Sequence, residues 1–576
     1  MAGASVRRAG TAGLALAGLS IALTFTVALL GPSLLEPALA GPPGQPPWSL
    51  AAHPSAALVV ALTAAAVAAG TAGLVLMIRA MRRGWAVSPW LILAAGVVAA
   101  AALTLVPPFG SSDHLSYAAY GRMVATGHDP YTTTPAALAR LGDPVGRAVQ
   151  DWRSSPSVYG ALATVGQALA SLIGGASVRA TVFVLSVLNF AAFTLTGLLL
   201  HRLGRGDRQR QLRAALLWTA NPLLLQVLVA GAHLDSQAVL FAIGALYVLR
   251  RYLPGTGHAG HAGRAGRRAC VGGAAGVAAG AGFAVKPTMV LAAAGLAVAC
   301  VLAAGARRQP GAAGGWRDVA PALGGLAAGF AASAGAAVVI WGPRSLAPAL
   351  RAGSYVSVGS PWRAVRSLLR LAVGEGAAES VVKTGAAALA LALAGLLIAS
   401  IRRSEPGSWP EVPGLAPAAA PAGAAPEIAA APGGAAPGGA AAPGGRARAD
   451  AGLSGAALLM PAAAFAVTLA WLVAWPYVLP WYDSLAWALL ALLPISRLDW
   501  LMLARTTALA LGYLPARGVV VPASLRWLET VGRSAVTPAV LLAAAVVLVV
   551  MIWPGRTTGK ARTSAARLPA ARRPSA

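Results

Sequence analysis

Long apolar runs separated by short polar connections repeat from one end of the chain to the other. They fall near 11–31, 55–79, 88–107, 177–200, 214–231, 237–252, 269–285, 288–306, 319–341, 380–401, 453–475, 483–496, 499–515 and 535–553. About 20 apolar residues in a helix cross a bilayer core, and several of these runs reach or approach that length. The pattern predicts an all-α polytopic membrane protein of about 13–14 transmembrane helices. The stretch 157–175 is apolar enough to resemble a further span, but it contains Gln167 and several Gly and Ser. Counting it would place Arg202, Arg205, Arg208, Arg210 and Arg213 outside the cell. It is therefore predicted as an amphipathic helix on the outer interface.

Basic residues then set the orientation. The 32–54 connection has no Lys or Arg, whereas the next one carries Arg79, Arg82 and Arg83. Under the positive-inside rule both termini are cytoplasmic and the long 108–156 loop is extracytoplasmic. Arg7 and Arg8, an apolar run and Ala38-Leu39-Ala40 resemble a signal peptide, but the run is long for one and reads as an uncleaved first helix. Residues 404–450, rich in Ala, Pro and Gly, are predicted as a disordered cytoplasmic linker. The chain thus divides into a transmembrane region 1–403, the linker 404–450, C-terminal spans 451–553 and a basic cytoplasmic tail 554–576.

Composition changes this picture little. Hydrophobic residues make up 57% of the chain, too many for a soluble domain. The net charge of +28 sits mainly in short loops and termini, so it reads as topology rather than nucleic-acid binding. Cys270 and Cys300 both fall in predicted spans, and no Cys/His cluster has metal-ligand spacing, so neither disulfides nor a metal are expected.

Carboxylates are scarce, 17 in 576 residues, yet Asp113, Asp129, Asp143 and Asp151 share the 108–156 loop. Asp113 follows a span by a few residues and can serve as a general base, or it and Ser112 can cap a helix over 114–125. Asp129 precedes Pro130 and reads as a turn before Tyr131. His114, Tyr117, Tyr131, Asp151, Trp152 and Tyr159 are further polar or aromatic candidates in this loop. His233 and Asp235 mark another outer turn, and Lys286 sits at the junction of two otherwise uncharged helices. The segment 476–483 adds Tyr482, while Trp471 and Trp475 read as an interfacial aromatic belt. The outer loop 342–378 departs from the charge rule with Arg344, Arg351, Arg363, Arg366 and Arg370. Guanidinium groups there suit a lipid phosphate or anionic headgroups.

Taken together, SSDHLSYAAYGRMVATGHDPY at 111–131, NPLLLQVLVAGAHLDSQ at 221–237, AGFAVKP at 281–287 and PYVLPWYD at 476–483 resemble a known family. It is that of the polyprenol-phosphomannose-dependent α-1,6-mannosyltransferases (MptB-type), membrane glycosyltransferases of the GT-C class. The resemblance covers most spans in order but not 404–450 or the tail. It implies a GT-C bundle with a large outer loop carrying interfacial helices. The donor it implies is polyprenyl-phosphate-mannose, a co-substrate, with no separate cofactor; the acceptor is a mannan or lipomannan-type glycolipid at the plasma membrane. Asp113 matches the family's essential acidic position and would be the base of an inverting displacement. His114, Tyr117, Asp129, Tyr131, Asp151, Trp152, His233, Asp235 and Tyr482 would contact substrate. Lys286, Arg344, Arg363 and Arg366 would stabilise the leaving phosphate. Transfer of another polyprenyl-linked sugar, such as arabinose or glucose, is the alternative. A transporter is disfavoured, because little charge falls within the spans.

Overall fold

A computed structural model describes residues 2–42, 44–252, 261–306, 315–403, 444–515 and 518–553. Its regular elements are all helical among the described residues. In hydrocarbon, backbone N–H and C=O groups must be satisfied within the segment, which favours this outcome. Nine described helices are long and apolar enough to cross a membrane, among them Ala56–Arg82, Val178–Leu203, Arg208–Ala230 and Gly263–Val285. Large apolar side chains such as Leu91, Val339 and Leu391 remain exposed on their outer faces. Such surfaces are expected where the solvent is lipid. The chain is a multi-pass membrane protein.

Small residues at one interface allow very close helix packing. Helices His261–Val285 and Gly315–Trp341 approach so closely that a Cβ on Gly272 would lie 2.1 Å from the Ala322 carbonyl oxygen. One on Gly329 would lie 2.1 Å from the Gly273 carbonyl oxygen. The Ala/Gly content therefore has a packing role here.

Several predicted elements take a different form. The 483–496 run is not one continuous helix: its regular part is the seven-residue helix Ser484–Leu490, every residue of which is buried, and the run ends at Ser496, whose carbonyl accepts from Arg82. At 1.5 Å per residue that helix extends only about 10 Å. An apolar sequence enclosed by protein looks the same as one enclosed by lipid. Leu498–Gly512 is also short, at 15 residues, and buries Asp499 and Arg505. The predicted 214–231 helix is interrupted by Asn221-Pro222, with π-helical turns at Ala215–Thr219 and Leu225–Ala230. Pro222 supplies no N–H to the ladder, and the Asn221 side chain accepts from the amides of Leu223 and Leu224.

The amphipathic helix expected at 157–175 forms as Ala161–Gly174. Its polar face points inward, burying Thr164, Gln167 and Ser171, while Leu169, Leu172 and Ile173 face outward. That is the reverse of an amphipathic helix whose polar face meets water. Most of the predicted linker, 404–443, and the whole tail from 554 lie outside the described residues. Residues 444–450 open the helix Gly444–Ala474.

Candidate active site

The predicted cap gives way to a different arrangement. The loop helix runs over Asp113–Ala125, with Ser112 at its N-cap position but no side-chain capping bond. The Ser112 hydroxyl instead donates to Asp151, which also accepts from the Gly518 amide at 2.9 Å. Asp113 occupies the first helical turn, and its own amide donates to Ser111 Oγ at 3.1 Å. Its carboxylate is thus free of capping and faces a cavity of about 270 Å³. Gly121, two turns on, lets this helix close onto Ala161–Gly174: a Cβ there would lie 2.0 Å from the Gln167 carbonyl oxygen.

Three distant segments complete the cavity floor. Lys286 stands in extended conformation between Val285 and the Pro287–Met289 turn, where proline ends the helix ladder. Its ammonium donates to both Asp235 oxygens at 2.8 Å and lies 4.0 Å from the Tyr482 ring centroid. The turn after Ala230 brings His233 Nδ1 to 3.6 Å from Asp113 Oδ2 and 3.4 Å from the Tyr117 hydroxyl. The imidazole stacks on Trp481 with centroids 3.6 Å apart. Above this polar floor the walls are aromatic. Trp152 stacks on Tyr355 at 5.8 Å, and Trp471 on Trp475 at 6.0 Å.

Electrostatically the lining acid Asp113 differs from Asp235 beneath it. Asp235 is neutralised by its bidentate lysine. Among the described residues Asp113 has no Lys or Arg in contact, and only 16% of its side chain is accessible. Burial pushes its carboxyl up to about 6; Lys286 opposes that rise, while Asp151 and Asp235 add to it. His233 lies well below its ordinary value, chiefly through burial, with Lys286 and His114 contributing. A neutral imidazole beside a poised carboxyl can receive, hold or orient a proton.

The structure brings Asp113, Tyr117, Trp152, His233, Asp235, Lys286 and Tyr482 together. It does not bring in the rest. Asp129 closes a local turn on the Tyr131 amide at 2.8 Å, and Tyr131 bonds Thr164 and packs on Trp341. His114 is buried and does not line the cavity; Asp151 does not line it either, but its carbonyl accepts from the lining residue Ser116 at 3.5 Å. Arg344 and Arg363 are exposed away from the cavity, and Arg366 pairs with Glu375 beside Arg370. Asp143 caps a short helix and pairs with Arg122 at 2.7 Å.

Trp471 and Trp475, read from sequence as an interfacial belt, are cavity walls. Ser116 and Tyr120 were also missed. Their spacing from Asp113, three and seven residues along one helix, places them on its face and was a readable signal. Among the described residues no three His, Cys, Asp or Glu side chains converge as a metal site.

Comparison with known proteins adds an independent line. Residues 8–303 match a family model described as Alpha-(1->6)-mannopyranosyltransferase, N-terminal domain. The chain is 32% identical over 151 residues to an alpha-(1->6)-mannopyranosyltransferase of Mycobacterium tuberculosis, covering 26% of this chain and 25% of that protein. It is 27% identical over 151 residues to alpha-(1->6)-mannopyranosyltransferase A of Corynebacterium glutamicum, covering 26% and 30%. A probable alpha-(1->6)-mannopyranosyltransferase of Mycolicibacterium smegmatis is 32% identical over 156 residues, covering 26% and 27%. The chain thus spans about a quarter to a third of the length of the curated relatives it matches. No solved structure matches it. The family match includes Asp113, His233, Asp235 and Lys286 and ends before Tyr355, Trp471 and Tyr482.

Proposed function

The chain belongs to the alpha-(1->6)-mannopyranosyltransferase family, and on that premise we propose that it transfers mannose from polyprenyl-phosphate-mannose to an α-1,6-mannan or lipomannan-type acceptor. The observation that carries this reading is Asp113: a cavity-facing carboxylate without a cation in contact, beneath aromatic walls suited to sugar rings.

In the proposed step the acceptor's primary hydroxyl gives its proton to Asp113 as its oxygen attacks the anomeric carbon. The bond from that carbon to the phosphate oxygen breaks, inverting the centre from a β donor to an α product. Polyprenyl phosphate departs with the bonding electrons. Lys286 is the one cation lining the cavity among the described residues; two of its N–H groups hold Asp235, and its position leaves it to offset charge on the departing phosphate. The arginines of 344–370 are not assigned to this step, since they line no part of the cavity.

Orientation follows from charge. The helical segment Arg208–Ala230 runs from the five-arginine connection to the turn that holds His233. Its length separates the two by about 30 Å. The positive-inside rule then supports a cytoplasmic arginine end, cytoplasmic termini and an active site on the extracytoplasmic face of the plasma membrane.

The test is transfer by the purified full chain to a short α-1,6-mannoside, with a panel of donors. Transfer from polyprenyl-phosphate-mannose, with an α linkage in the product, is expected. Efficient use of a nucleotide sugar would refute the donor, and preference for an arabinosyl or glucosyl polyprenyl phosphate would reassign the sugar.

A further inference from the structure

Behind His233, on the side away from the main cavity, lies a second chamber of about 40 Å³. It is lined by Ser111, Gln226, Gly231, His233, Trp481 and Tyr513. A water needs roughly 10–15 Å³ of such space and two or more polar partners, so this chamber can hold one. Gln226 supplies an acceptor, since its buried Oε1 has no hydrogen-bond partner among the described residues. Gly231 leaves the imidazole edge open: a Cβ there would lie 2.8 Å from His233 Cδ2 and 3.2 Å from Nε2. Nε2 therefore faces the chamber side, and Nδ1 faces Asp113 and Tyr117.

Hydrogen-bond direction on the Nδ1 side is also constrained. The Tyr159 hydroxyl donates to the Tyr117 hydroxyl at 3.3 Å, which leaves the Tyr117 proton to point at Nδ1, 3.4 Å away. Nδ1 is then an acceptor, and the ring proton belongs on Nε2. A buried Nε2–H requires an acceptor, and a water held in the chamber by Gln226 Oε1 would provide it.

We propose that His233 is a positioning residue, locked in the Nε2–H tautomer by water in this rear chamber, so that Nδ1 can accept a hydrogen bond from Asp113 once Asp113 is protonated. While Asp113 is ionised, Tyr117 occupies the Nδ1 lone pair. When Asp113 takes the acceptor's proton, its new O–H turns to Nδ1, which stabilises the acid as it forms. No proton passes through the ring; Asp113 later releases it to water on the cavity side. The groups facing His233 are Asp113 and Tyr117 from the loop helix, neighbouring His114 and Lys286 by their fields, and Trp481 and Tyr513 across the chamber.

This inference rests on Asp113 being the base, and the test separates the two claims. Asp113→Asn, His233→Phe, His233→Asn and Gln226→Leu would be compared by kcat and KM across pH, with folding checked by elution and Tm. His233→Phe keeps the ring stack on Trp481 but removes both nitrogens. Its kcat should fall by about tenfold or more with KM within about threefold, the scale of one lost hydrogen bond in a transition state. The acid limb should move to lower pH, because the acid form of Asp113 loses its acceptor. His233→Asn, whose amide oxygen can replace Nδ1, should recover part of both. Gln226→Leu should shift the limb in the same direction by a smaller amount, and carries the test should His233→Phe fail to fold. Folded His233→Phe with unchanged kcat and limb, or a limb moving upward, would overturn the tautomer account while leaving Asp113 as base. An active Asp113→Asn enzyme would instead overturn the catalytic reading beneath it.

Discussion

Buried carboxylates occur in two kinds of surroundings, and the contrast separates structure from chemistry. Away from the cavity, Asp499 accepts from Arg213 at 2.6 Å and from the Ser496 amide at 2.6 Å. Arg213 spends its remaining contacts on the Leu490 carbonyl. Asp483 likewise takes Arg505 at 2.9 Å and Thr506 at 2.7 Å. Both acids are fully buried, and each oxygen has a partner. They fasten the short C-terminal helices to the bundle. At the cavity, Asp235 follows the same rule with Lys286, but Asp113 does not: its nearest basic group is the neutral His233. A buried acid paired with a cation holds elements together, whereas one without a cation beside a cavity is available for a reaction.

The comparison breaks most visibly if a satisfied pair is split. Asp499→Ala or Arg505→Leu leaves a buried charge without its partner, at a cost of about 3–5 kcal/mol. We expect sharply reduced yield of folded protein in detergent, measured by size-exclusion chromatography, with normal activity in whatever remains folded. Unchanged thermal stability would mean that these pairs do not hold the bundle together.

Asp113 should show the opposite sign. Its carboxyl lies near 6 in the folded chain against an ordinary 3.8. The folded state therefore binds this proton more tightly than the unfolded one. Stability linked to the group is complete below about pH 4 and is lost as pH rises through 6. Asp113→Asn should stabilise the folded chain at pH 7.5 by on the order of 2–3 kcal/mol at most, seen as a higher detergent Tm, with the gain disappearing near pH 4. A lower Tm at neutral pH would show that the carboxylate has a partner in the folded protein.

Smaller effects sharpen the outline of the cavity. Trp152→Ala removes one wall and its stacked contact with Tyr355; KM for the acceptor or donor should rise about fivefold with kcat nearly retained. Arg344→Ala and Arg363→Ala, outside the cavity, should change kcat/KM by less than about twofold. A large loss in either would restore these arginines to phosphate binding.

What could be read from sequence follows the same division. Asp113, His233, Asp235, Lys286 and Tyr482 stood out because polar groups at the ends of apolar runs are costly and therefore conspicuous. Their meeting was not legible, since it joins four segments from 113 to 482 that no local pattern relates. The placement of the later outer arginines was not legible for a related reason: Trp362–Val373 sets Arg363, Arg366 and Arg370 away from the cavity, where Glu375 answers Arg366 and Arg370. The short, protein-enclosed form of Ser484–Leu490 was not legible, because hydropathy does not distinguish a helix wrapped in protein from one wrapped in lipid. Trp471 and Trp475 fit a belt by composition, and only packing turned them toward the cavity.

The most direct test of the account is the pH dependence of mannosyl transfer by the wild-type chain and Asp113→Asn, in the same detergent and at matched folded concentration. The account predicts a wild-type acid limb near pH 6 and a loss of about 10²–10⁴-fold in kcat, with no pH optimum, in the variant. A folded Asp113→Asn protein that transfers mannose at the wild-type rate with the same acid limb would contradict it.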